Sequence, residues 1–333
     1  MKADKILEGL RKRNYKTVYW LEGEEDFFID QVLNYAESHI LSEEEAAFNR
    51  TILYGRDTDW ATVMNACRRY PMFAERQVVI LKEAQAMREI DKLEPYIEHP
   101  LASTLLFIGY KGKKVDGRTK LAKTLKSKAE MLTTRKLYEN ELPEWIQGLA
   151  KEKGYTLTNK ALYLLIDHIG NDLSRINNEI DKIAINLGDR KNITEDDIEV
   201  FVGISKEYNV FELQDALAKR DLSKAIRIAQ YFENNPKAGP LQLIFPSVYT
   251  FFSKLQMIHT SRGASDKTLS GAIGVPEWKM REYLQAAQVY NMMAIERNIL
   301  LLQQYNLRSL GVNDAGTEDG QLLKEMLVKM IQD

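Results

Sequence analysis

The sequence is poor in the residues that build the commonest covalent and metal centres. It has one cysteine, Cys67, in 333 residues, which excludes a disulfide within the chain and a cysteine-rich zinc site. One cysteine is typical of a reducing compartment, so we expect a cytoplasmic protein. The few histidines are too far apart in sequence for the usual zinc spacings: His39, His99, His168 and His259. We therefore predict no metal site, and we expect Cys67 to be buried and inert on the apolar stripe of a helix.

An excess of positive charge is also missing. Lys and Arg number 46 against 48 Asp and Glu, a formal net charge of −2. The balance is +2 over residues 1–140, −4 over 141–206 and 0 over 207–333. No part of the chain is strongly basic, so a contact with nucleic acid would have to be local. The sequence also lacks the run of about 18–20 apolar residues that spans a bilayer, which predicts no membrane segment.

The hydrophobic pattern predicts an α/β region followed by an all-α region. Short apolar runs alternate with helix-period segments such as residues 29–40 and 59–70, which indicates a parallel sheet with crossover helices. The predicted strands are residues 18–21, 51–54, 78–81, 105–108 and 131–134. After about residue 140 the strong segments read as helices, and the first of them end at Gly154, Gly170 and Gly188. We predict three domains, over residues 1–140, 141–206 and 207–333.

The first predicted strand leads into a glycine but not into a phosphate-binding loop. A phosphate loop that starts at Gly23 needs Gly-Lys-Ser/Thr at positions 28–30, where this chain has Phe28, Ile29 and Asp30. The intervening carboxylates would repel a phosphate: Glu24, Glu25 and Asp26. The third strand is followed by Lys82 and Glu83, so a carboxylate of the kind that holds Mg²⁺ is replaced by lysine. We predict no nucleotide cofactor and no catalytic residues.

A basic segment covers residues 111–136. It has ten basic residues, opposed by Asp116 and Glu130. Two interpretations stay open: a solvated loop and helix face, or a surface that lies near nucleic-acid phosphates and releases their counterions. The candidate nucleic-acid-binding residues are Lys111, Lys113, Lys114 and Arg118.

Two large apolar residues, Met72 and Phe73, fall in a connection between a predicted helix and the third strand. Pro71 should end the helix before it. Loops are usually exposed, so an apolar pair in one needs a reason. The pair is either a plug tucked into the core or an anchor for a protein partner, where burial of each side chain would contribute about 1.5–3 kcal/mol.

An ordered set of motifs along essentially the whole chain resembles the delta subunit of the bacterial DNA polymerase III clamp loader. No single motif is specific, but their order in a chain of this length is. The motifs are residues 18–30, 72–80, 105–108, 170–183, 193–198 and 209–217.

The resemblance implies an AAA+-like α/β domain that has lost nucleotide binding, a small helical lid domain and a helical collar domain that assembles a pentameric loader. Met72 and Phe73 match the hydrophobic pair that this family inserts beside an interface of the ring-shaped sliding clamp. The family commonly has Leu at the first position, so Met72 is a departure, although Met is apolar and adaptable. The implied partners are the sliding clamp, other loader subunits and, through the complex, primed DNA.

The resemblance also implies a mechanical role without intrinsic catalysis, inside a holoenzyme that does polymerise DNA. Binding would favour a clamp with one interface open, and ATP would act through neighbouring subunits. Three alternatives remain: a delta-prime subunit or another loader ATPase, an enzyme with a diverged nucleotide site, and a stand-alone nucleic-acid-binding protein. A loader ATPase predicts an intact phosphate loop or a zinc-binding cysteine cluster, and the sequence has neither.

Overall fold

The computed structural model describes residues 2–205, 207–236, 238–261, 265–275, 277–314 and 316–332. The chain divides into two compact units, residues 1–137 and 138–333. The division of the second unit into a lid and a collar stays a prediction, and Lys206, the last residue of the predicted lid, lies outside the described residues.

The first unit contains a five-stranded parallel sheet in the order β2-β3-β4-β1-β5. Each predicted strand lies within an observed one. The runs of β1, β3 and β4 are covered on both faces, whereas the edge strands β2 and β5 are only partly buried. The strands are β1 (Val18–Gly23), β2 (Arg50–Tyr54), β3 (Gln77–Lys82), β4 (Thr104–Lys111) and β5 (Glu130–Thr134). The α/β prediction for this region is confirmed, with the parallel sheet that the alternation of strands and helices indicated.

Helices connect these strands, and their starts follow the capping residues of the sequence. Ser42 and Glu45 form a capping box at α3, and the Asp59 side chain accepts a hydrogen bond from the Thr62 amide at α4 (2.7 Å). Short 3₁₀ turns lie at Ala84–Ala86 and Ile90–Leu93. The helices are α1 (Lys2–Arg11), α2 (Asp26–His39), α3 (Glu43–Asn49), α4 (Trp60–Cys67), α5 (Glu94–Glu98) and α6 (Lys120–Lys128).

The second unit is mostly helical, as predicted. Gly154, Gly170 and Gly188 follow its first helices with φ of +83°, +71° and +59°, the left-handed region where glycine is favoured. Its helices are α7 (Leu142–Glu152), α8 (Asn159–Ile169), α9 (Leu173–Asn186), α10 (Glu195–Asp197), α11 (Val210–Ala218), α12 (Leu222–Asn234), α13 (Leu241–Thr260), α14 (Asp266–Ile273), α15 (Glu277–Val289), α16 (Met292–Ser309) and α17 (Asp319–Gln332).

Smaller elements complete the second unit. A 3₁₀ turn at Glu139–Glu141 precedes α7, and a π-helical turn at Ile198–Val202 follows α10. The sequence patterns did not predict the short parallel pair of β6 (Thr156–Leu157) and β7 (Asn192–Ile193). Among the residues described, none of the helices combines the length and apolar character that crossing a bilayer requires.

An ion-pair network fastens the end of α16 to α17. Arg308 Nε lies 2.8 Å from Asp314 Oδ2, and Arg308 Nη1 lies 3.0 Å from Glu325 Oε2. The Thr317 amide donates to Asp314 Oδ1 (2.7 Å), and this bond with the Arg308 pair lowers the pKa of Asp314 to about 2. The carboxylate of Asp314 therefore stabilises the folded state wherever it is ionised.

We predict that Asp314→Asn lowers the urea midpoint near neutral pH, and that the variant and wild type converge as the pH falls. The folded-state pKa lies below the unfolded value of about 4, so the contribution of Asp314 is present above pH 4 and is lost as the pH falls toward 2. Urea titrations between pH 6 and pH 2 measure this, with exposed Asp189→Asn as the control. A difference that stays constant across that range would contradict the assignment.

Candidate functional site

The parallel sheet puts the two candidate sites of the first unit at opposite edges. The position of the missing phosphate loop and the start of the basic segment follow the carboxyl ends of β1 and β4. Met72 and Phe73 precede the amino end of β3. Six residues of strand separate the two edges by about 20 Å, so they are separate surfaces.

At the carboxyl edge, the start of α2 is occupied by carboxylates of the protein. Gly23 has φ +129°, and a Cβ there would lie 2.2 Å from the Thr134 carbonyl oxygen. Glu25 is 3% exposed, accepts a hydrogen bond from the Phe27 amide (3.3 Å) and lies 3.1 Å from Lys136 Nζ. A helix start that would otherwise attract a phosphate is thus capped by the chain itself.

The neighbouring lysines of this edge are also paired within the unit. Lys111 Nζ lies 2.6 Å from Asp30 Oδ1, and Lys82 Nζ lies 2.6 Å from Glu37 Oε2. Burial raises the pKa of Asp26, the first residue of α2. These groups neutralise one another, which supports the prediction that this edge does not bind a nucleotide. Within the described ranges, no group of three His, Cys, Asp or Glu side chains could hold a metal ion.

The four candidate nucleic-acid-binding residues differ in their surroundings. Lys111 is held by Asp30, and Arg118 makes a two-pronged ion pair with Asp116 (Nη2–Oδ2 2.7 Å and Nε–Oδ1 3.0 Å). Lys113 is exposed, with its ammonium 5.3 Å from the centre of the Tyr110 ring, and Lys114 is exposed. The loop continues into α6, which adds the exposed Lys123, Lys126 and Lys128.

At the amino edge, Met72 and Phe73 face solvent. Their side chains are 54% and 99% exposed, so the interpretation of this pair as a plug tucked into the core is wrong. We call Met72 and Phe73 the apolar pair, and residues 68–76 the α4–β3 loop. Phe73 has φ +54°, a left-handed conformation that is strained for a bulky residue. The loop therefore holds its most exposed aromatic side chain in a conformation that an unconstrained chain would avoid.

The base of the α4–β3 loop is fixed by buried polar side chains of the sheet. Gln77 Nε2 lies 2.6 Å from the Arg69 carbonyl oxygen and 3.2 Å from that of Ala66. The Thr104 hydroxyl donates to the Cys67 carbonyl oxygen (2.9 Å). These contacts satisfy carbonyl groups that a helix end leaves without partners, so α4 ends at Cys67, three residues before the predicted end.

Cys67 itself is fully buried, and burial raises the pKa of its thiol to about 12, as expected for an inert cysteine. Sequence reasoning missed Gln77 and Thr104. The available signal was a polar residue next to an apolar strand run, which is ambiguous because strand ends are often solvated.

The fold defines an α/β protein with a parallel sheet and a helical second part, and comparison with known proteins narrows this class of fold. A family model described as "DNA polymerase III, delta subunit" matches residues 19–135. The chain is 23% identical over 336 residues to the DNA polymerase III subunit delta of Bacillus subtilis (strain 168), covering 97% of this chain and 95% of that protein. It is 24% identical over 223 residues to the probable DNA polymerase III subunit delta of Aquifex aeolicus (strain VF5), covering 63% and 62%.

A solved structure has the same fold. The Bacillus subtilis DNA clamp loader delta protein (YqeN) superposes with a TM-score of 0.57 at 23% identity, covering 99% of this chain and 100% of that one. The resemblance found in the sequence is confirmed: the chain is similar to DNA polymerase III delta subunits over nearly its whole length and shares the fold of one of them.

The left-handed conformation of Phe73 predicts an unusual order of stability for two truncations. Phe73→Gly should be more stable than Phe73→Ala by about 1 kcal/mol, because alanine keeps the steric cost of positive φ and glycine does not. Urea unfolding of both variants measures the difference. Since the Phe73 side chain is 99% exposed, Phe73→Ala should lie within about 0.5 kcal/mol of wild type. An alanine variant as stable as the glycine variant would contradict a left-handed residue at this position.

Proposed function

We propose that this chain binds the ring-shaped sliding clamp and favours the opening of one ring interface, supporting clamp loading onto primed DNA. The observation that carries the proposal is the exposure of the apolar pair at the tip of a loop whose base is fixed by buried hydrogen bonds. Large exposed apolar side chains at a defined position are typical of protein-binding surfaces. The similarity to DNA polymerase III delta subunits supplies the partner.

The proposed mechanism is a shift between two states of the clamp. Burial of Met72 and Phe73 in the partner would contribute about 1.5–3 kcal/mol each, or about 3–6 kcal/mol together. Shifting an interface from about 1% open to about 99% open requires about 5.5 kcal/mol of differential binding. The apolar pair can supply much of this if its pocket forms only beside the opened interface. No bond is made or broken, so we propose a role without intrinsic catalysis.

The same proposal places the chain in a hetero-assembly of five loader subunits. Residues 207–333 would form the collar that assembles the loader, and residues 141–206 the helical lid. Because the carboxyl edge of this sheet is filled by ion pairs of the protein, ATP would act through the neighbouring subunits.

Replacing Met72 and Phe73 together with alanine should weaken clamp binding at least about tenfold, because both anchors are lost while the exposed positions contribute little to folding. Titration calorimetry with the purified sliding clamp measures the affinity. Tyr54→Ala is the matched control, since Tyr54 is a 46% exposed aromatic residue at the opposite edge of the same sheet. Equal affinity of wild type and the double variant, with both folded, would refute the proposed contact.

A local DNA contact is a second part of the proposal. It is favoured by the exposure of Lys113 and Lys114, which form no ion pair within the described residues, and by the exposed lysines of α6. Phosphate contacts of this kind act through counterion release.

Charge reversal at Lys113 and Lys114 should weaken the binding of the assembled loader to primed DNA and reduce the dependence of affinity on salt. Each lost phosphate contact lowers the slope of log K against log salt by about 0.9. Fluorescence anisotropy at several salt concentrations measures the slope, with charge reversal at exposed Lys5 and Arg13 as the control. A slope that falls equally in the control would show a general charge effect and contradict a contact at this loop.

A further inference from the structure

Asn49, a residue that the sequence patterns did not single out, is bonded to both backbone polar groups of Met72. It is the last residue of α3 and is 3% exposed. Its Oδ1 accepts a hydrogen bond from the Met72 amide (2.7 Å), and its Nδ2 donates to the Met72 carbonyl oxygen (2.9 Å). Nδ2 also donates to the Glu45 carbonyl oxygen (3.0 Å). One buried side chain therefore pairs with both the amide and the carbonyl group of Met72, as the backbone of a neighbouring strand would.

This pairing lies directly before the strained residue of the loop. Phe73 follows Met72, and its positive φ persists only where the surrounding structure fixes the chain. Gln77 and Thr104 fix the base of the loop, but their contacts end at Arg69. Asn49 makes the contact that reaches the apolar pair itself.

Asn49 is also well placed to be rigid. It joins α3 to β2, and β2 pairs with β3 in parallel register, with Arg50 opposite Val78. The side chain that holds Met72 is therefore carried by the sheet that also receives the loop at Gln77. The loop is thus fixed by the residue that precedes β2 and by the first residue of β3.

We propose that Asn49 is the positioning residue of the apolar pair: it holds Met72 and Phe73 in the binding-competent arrangement before the partner arrives. The inference rests on the proposed clamp contact. Its physical basis is preorganisation, since a loop that is already ordered loses less conformational entropy on binding. The two hydrogen bonds replace backbone hydration that the exposed loop would otherwise have.

Asn49→Ala removes both bonds and keeps the apolar pair. We expect the Met72 amide to exchange hydrogen at least about tenfold faster in the free protein, and clamp affinity to fall about five- to tenfold. Asn49→Asp should be weaker still, because a carboxylate oxygen then faces the carbonyl oxygens of Met72 and Glu45. Asn65→Ala, at an exposed asparagine of α4, is the matched control. Circular dichroism and thermal melts establish that each variant is folded.

A mutant cycle with the Met72→Ala/Phe73→Ala variant separates positioning from a general loss of structure. If Asn49 acts through the apolar pair, Asn49→Ala should change clamp affinity less than about twofold in the background that lacks both side chains. If Asn49→Ala binds the clamp with wild-type affinity while Phe73→Ala binds it weakly, the inference is overturned and the clamp contact stands. Full affinity of Phe73→Ala would overturn the contact, and the inference with it. Unchanged exchange at the Met72 amide would overturn the inference without any clamp measurement.

Discussion

The parallel direction of the five strands is the constraint on which the first unit depends. Parallel strands all begin at the amino edge of the sheet and all end at its carboxyl edge, so the two kinds of connection lie at opposite edges. The carboxyl edge of β1, β4 and β5 holds the position that a phosphate-binding loop after β1 would take, and it is filled with paired acids and lysines. The amino edge of β2 and β3 holds the apolar pair. The residues of one edge can therefore change without disturbing the other.

The two edges differ in the chemistry that keeps them in place. At the carboxyl edge, a buried carboxylate such as that of Glu25 would be costly without a partner. It is stabilised by the amino end of α2 and by Lys136. At the amino edge, the neutral side-chain amides of Asn49 and Gln77 form hydrogen bonds with backbone groups of the α4–β3 loop and add no charge. The amides therefore fix the loop backbone without burying an ion beneath it.

Much of the fold could be predicted from the sequence, because its patterns are local. All five strands and the helical second part follow from hydrophobic period and glycine positions. The residues that fix the candidate site could not be predicted in this way. Asn49 and Met72 are 23 positions apart, and Gln77 and Thr104 are 27 apart, so only the folded sheet brings their polar atoms together. Sequence placed Met72 and Phe73 in a loop, but it left open whether they were buried or exposed.

The proposed opening of the clamp requires that binding energy is not consumed in ordering the α4–β3 loop. If the apolar pair moved freely, binding energy would first order the loop, and less would remain to separate the states of the partner. Two buried amides limit this loss, because Asn49 at the end of α3 fixes the loop at Met72 and Gln77 at the start of β3 fixes it at Arg69. The energetic cost of the left-handed conformation of Phe73 is then compensated when the first unit folds, and it does not reduce the free energy of association.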